Sequence, residues 1–267
     1  MTAITLSDNP RHHGVTRRRV LRSEWTKFWS VRSSMWTLLV AVVLTVGLGA
    51  LFSAARANQH GQELALLNPT STSLSGMAIA ELAIGVLGVL VMAGEYATGM
   101  IRSSLTVVPK RLPVLWGKIG VVGAVSFGVM LLASFGSFFL GQALLSAHGL
   151  GTTIGAPGVL GAVVGAAVAV GLLAVIGVGL GALLRNTAAA ISTFVGVLFV
   201  LPPLVGLLSG SLSTDITPYM PNNAAAAVFH GETGFSLLSP WAGLAVLSGY
   251  AMVTVAAAAW RLRKADA

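Results

Sequence analysis

Glu95, Gly99 and Arg102 stand at spacings of four and three in the segment GEYATGMIRSSLTVVPKR, residues 94–111. On a helix that spacing places all three on one side, with Tyr96, Met100 and Leu105 as an apolar strip beside them. A short helix with a charged, glycine-notched face is suited to docking in a groove on a partner rather than to making or breaking bonds. Pro109 and Pro113 limit its length and redirect the chain. The plainer reading of such a segment is an anchor among lipid headgroups, and Lys110, Arg111 and Lys118 are assigned that role.

Other patterns with chemical potential are sparse. The five histidines show no HExxH spacing, and no GxSxG elbow occurs. The Gly117–Lys118 pair is followed by isoleucine and lacks the preceding glycine of a phosphate-cradling loop, so the chain is not expected to bind or hydrolyse ATP itself. Without cysteine there are no disulfides, thiolate metal sites or cysteine nucleophiles. No metal, cofactor or catalytic residue is expected. Glu81 is the one acidic residue inside an apolar run. It is read either as part of a pathway or coupling device, or as a polar contact near the outer end of its span that reaches headgroups or water.

These residues must be positioned by membrane-spanning helices. Of 267 residues 55% are hydrophobic and 9% charged, against roughly a quarter charged in soluble domains. Six apolar runs approach the length of about 20 residues needed to cross a bilayer: about 35–53, 77–93, 119–140, 158–184, 188–208 and 241–260. The connections between these runs place fifteen of the sixteen Lys and Arg on one side, leaving Arg56 on the other. Basic residues near span ends stay in the cytoplasm, so both termini are expected inside. This placement also accounts for the net charge of +8 through lipid and topology rather than nucleic acid. A signal peptide cleaved at Ala55-Arg56-Ala57 is disfavoured, because the apolar run is too long and its basic lead-in too extended.

The expected fold is an all-α integral membrane protein with a basic tail (1–19), a single six-span transmembrane domain (20–264) and a short C-terminal tail (265–267). In VLRSEWTKFWSVR, Leu21, Trp25, Phe28 and Trp29 fall on one helical face among basic residues, the pattern of a helix lying in the interface over about 20–33. Beyond the fifth span, Asn222 or Asn223 is expected to cap a short helix over 224–229 that ends at Gly231. Glycine spacings such as Gly161-x3-Gly165 and Gly177, Gly179, Gly181 allow close helix approach. Pro202 and Pro203 predict a kink.

GEYATGMIRSSL…VPKR resembles the cytoplasmic coupling element of ABC-2 type transporter permeases, and LRSEWTKFWSVRSSMWTLL is similar to the interfacial entry helix of that family. The resemblance implies six spans with a separate ATP-binding subunit, ATP and magnesium being held by that partner, and two permeases working together as identical copies or paralogues. It places Glu95, Tyr96, Gly99, Ile101 and Arg102 at the ATPase contact and implies export across the plasma membrane. The competing readings are a scaffold that recruits a cytoplasmic protein, and a stand-alone carrier. The apolar lining of the spans favours a hydrophobic or amphipathic cargo.

Overall fold

The computed structural model describes residues 16–58, 68–101, 112–207, 211–230 and 238–264. Every regular element among them is helical: α1 (Arg17–Ser30), α2 (Arg32–Ala57), α3 (Pro69–Ser73), α4 (Met77–Ala97), α5 (Leu112–Ser146), α6 (Val159–Leu184), α7 (Thr187–Val195), a π-helical turn (Gly196–Val200), α8 (Leu201–Gly206), α9 (Ser211–Ile216), a 3-10 turn (Thr217–Tyr219), α10 (Pro221–His230) and α11 (Pro240–Lys264). Six are long and apolar enough to cross a membrane, with Thr187–Gly206 counting as one. The chain is a multi-pass membrane protein.

Several ends differ from the sequence expectation. α1 begins at Arg17, so residues 17–19 belong to the helix rather than to a tail; the Thr16 side chain accepts from the Arg19 N–H. α5 is 35 residues long, about 52 Å, and so exceeds the thickness of a hydrocarbon core. Pro113 lies in its first turn, where a missing N–H costs nothing. Asn222 and Asn223 lie inside α10, which starts at Pro221, and Asn223 Nδ2 donates back to the Thr217 carbonyl at 2.7 Å. Gly231 lies outside the described residues. The expected proline kink takes the form of a π turn. Pro202 and Pro203 lack the donors that a regular helix needs there, and the turn before them widens, with Leu201 N–H reaching back to the Gly196 carbonyl.

α6 is the central helix, packed against α4, α5, α7, α10 and α11. Its glycines make this possible. A Cβ on Gly177 would collide with the Gly85 carbonyl of α4, and one on Gly88 would collide with the Ala174 carbonyl. On Gly165 it would come within 2.5 Å of Val228 in α10, and on Gly179 within 3.0 Å of Thr254 in α11. Gly161 has open space around it, so the Gly161-x3-Gly165 pair is only half used.

Two ends can be distinguished. At the basic end, Arg261 of α11 donates to the Leu183 carbonyl of α6, and the Arg185 guanidinium lies 5.4 Å from the Tyr96 ring centroid at the end of α4. Trp25, Trp29, Trp36, Trp116 and Trp260 cluster by sequence position near this end, and all are exposed. Exposed tryptophans among cations are the composition expected where helices meet lipid headgroups. At the far end α4 stops short. Gly76, just before it, packs against Thr45, the middle of α2, and α2 continues about 18 Å beyond. Short α3 fills the gap, held by Ser137 Oγ of α5, within hydrogen-bonding distance of the Ser73 carbonyl (2.6 Å) and the Thr45 carbonyl (3.1 Å). Gln142 Nε2 donates to the Pro69 carbonyl and to Ser73 Oγ, each at 2.9 Å.

Candidate functional site

α1 has two faces. Leu21, Trp25 and Trp29 point outward and are exposed, as an interfacial helix requires. Phe28 does not join them: it is 3% exposed and packs in the core, on the inward face with Val20 and Glu24 at intervals of four. That inward face brings Glu24 against α5 and the end of α4.

There, four charges close a ring. Lys118 of α5 donates to Glu24 Oε2 at 2.7 Å and to Glu95 Oε1 at 2.8 Å. Lys27 of α1 donates to Glu24 Oε1 at 2.8 Å and to Glu95 Oε1 at 3.2 Å. Glu24, Glu95 and Lys118 are 4%, 8% and 2% exposed, whereas the Lys27 side chain keeps a third of its surface open. Two acids and two bases neutralise one another, which is what permits burial. Burial pulls the Lys27 ammonium downward, but the hydrogen bond and charge of Glu24, then those of Glu95, outweigh it and hold its pKa above the ordinary lysine value. Glu95 Oε2 has no hydrogen-bond partner among the described residues.

Lys118 is therefore no headgroup anchor. It is a buried crosslink that joins α1 to α4 and α5, inside a helix that begins at Leu112, well ahead of the expected span. Glu95 is likewise buried and ion-paired within the chain, because α4 continues to Ala97 and turns that carboxylate inward. The single docking helix expected across EYATGMIRSSL, residues 95–105, is interrupted at Gly99. Gly99 takes φ +72, exposed and with nothing near it, and helical backbone resumes at residues 100–101. Glycine is needed there for backbone conformation, not as a packing notch. Tyr96 is half-buried under Arg185, and Ile101 is buried in the main core. Arg102, Lys110 and Arg111 lie outside the described residues.

No family model matches the chain, and no curated protein matches it. The site is thus described by its own geometry. It joins α1, the end of α4 and the start of α5, beside the segment that leaves the bundle at Thr98. Two of its members were open to recognition in the sequence. Glu24 is the one acid within basic α1, and its separation from Lys27 is one helical turn. Lys118 interrupts an apolar run. Their mutual contact, across 94 residues, left no local signal.

Glu81 is the remaining sequence-predicted residue. It is 1% exposed, and neither carboxylate oxygen has a hydrogen-bond partner among the described residues. The contact with headgroups or water expected from its place near the start of α4 does not form. α4 begins deep, so that start lies at the mid-depth of α2.

Proposed function

We propose that the chain is the transmembrane permease subunit of an ABC-type transporter, binding no ATP itself and driven by a separate ATP-binding subunit. In this reading the basic end faces the cytoplasm, both termini lie inside, and two permease subunits frame an export pathway across the plasma membrane. The observation that carries it is the charge ring of Glu24, Lys27, Glu95 and Lys118. A push on the segment just after α4 is passed by buried ion pairs to the interfacial helix and the start of α5, so the three move as one body. A scaffold that only recruits a partner has no need of such a joint. The motif resemblance around residues 94–111 supports the same reading.

Purification from native membranes in mild detergent, with subunits identified by mass spectrometry, tests it. An ATP-binding subunit should co-purify, and vesicles containing both should move cargo only with ATP. A chain recovered without any nucleotide-binding partner would overturn the proposal.

A further inference from the structure

We propose that Glu81 is the recognition point for a cationic group on the molecule this permease moves, an inference that rests on the transport reading. The carboxylate is buried to 1%, with both oxygens lacking a hydrogen-bond partner among the described residues. It lies about 21 Å along α4 from Glu95, the charge-ring member on the same helix. Among the described residues no ion pair reaches it; the four that form all belong to the ring at the basic end. An acid retained in a hydrocarbon-like interior without an internal counter-charge points to a partner from outside the chain.

The surroundings narrow the class of that partner. Glu81 is one turn from Gly85 and two from Gly88, on the α4 face that meets α6 and α7. The Phe194 ring of α7 fills the space over Gly85. No group of three or more metal-ligating acidic, histidine or cysteine side chains occurs among the described residues, and a small hard cation requires several oxygens. One carboxylate in an apolar setting instead suits an organic cation, whose body buries apolar area while its charge meets a single acid.

The proposed route to it runs through the wall opposite. The π turn Gly196–Val200 directly follows α7, and the exposed Val200, Leu201, Leu204 and Leu207 continue from it as an apolar face. A π turn is a local irregularity that can relax to α-helical spacing and shift the register of α7 against α8. Such a shift would loosen the α4–α7 contact at Gly85 and Phe194, one turn from Glu81.

Binding of tetraphenylphosphonium to the purified protein in lipid nanodiscs, alone and with any co-purified subunit and nucleotide, tests the inference. Wild type should bind, Glu81→Gln should bind about tenfold more weakly or worse, and Glu81→Asp should retain most binding. In the wild type, the same ligand should protect Glu81 from dicyclohexylcarbodiimide, read by mass spectrometry, which removes dependence on the variants folding. Equal binding by Glu81→Gln, no binding by wild type under either condition, or labelling indifferent to ligand would each overturn it. Loss of the ATPase partner with Glu81-dependent binding intact would instead overturn only the transport reading.

Discussion

At the scale of single residues, the ring of Glu24, Lys27, Glu95 and Lys118 decides how the basic end behaves. Removing one member leaves the other three with one uncompensated charge in a buried setting, which costs up to about 3–5 kcal/mol. Lys118→Ala and Glu24→Ala should therefore lower the melting temperature in detergent sharply, read by tryptophan fluorescence. The double replacement Glu24→Gln/Lys118→Met should cost less than the sum of its single changes, because it leaves less uncompensated charge. Additive losses would show that the pairs contribute nothing jointly. Lys27 offers a pH test. Its folded value is raised above 10.5, so its contribution is complete at neutral pH and is lost only as pH climbs through that raised value. The stability difference between wild type and Lys27→Met should accordingly stay flat from pH 7 to 9. Glu95 belongs to this set: replacing it should weaken the fold as well as the coupling, whereas its place in the sequence suggested coupling alone.

At the scale of elements, α4 and α6 approach by backbone rather than by side chains. Gly177→Val would force overpacking against the Gly85 carbonyl, with a cost of about 1–3 kcal/mol or more. Gly161→Ala meets open space and should be neutral within error. Comparing detergent-solubilised melts of the two variants checks this, and equal losses would contradict the packing. The turn after α4 makes a separate demand. Gly99→Ala places a Cβ at φ +72 and should cost about 1–2 kcal/mol without any steric clash, while Gly99→Asn should recover part of it.

At the scale of the whole molecule, orientation is the testable consequence of the charge distribution. Thr98 and Asn58 are exposed at opposite ends of the bundle. Single cysteines at these positions, in a chain that has none of its own, should be labelled by an impermeant maleimide from the cytoplasmic side at 98 and from the outside at 58. The reverse pattern would remove the coupling assignment along with the orientation.

Membrane class and span number were legible in the amino-acid sequence because hydropathy is a local, additive property and a bilayer imposes a length on each apolar run. The outward face of α1 was legible for a similar reason: Leu21, Trp25 and Trp29 declare it by spacing alone. The inward face was not. Phe28 satisfies either face by type, and only docking on α5 assigned it to the core. Lys118 and Glu95 read locally as surface charges, since nothing in a linear chain shows that Glu24 will arrive between them. The depth of Glu81 was hidden in the same way. Counting from the start of its helix placed it near a surface, but the helix begins at the middle of α2, and relative depth is a relation between elements that only packing creates.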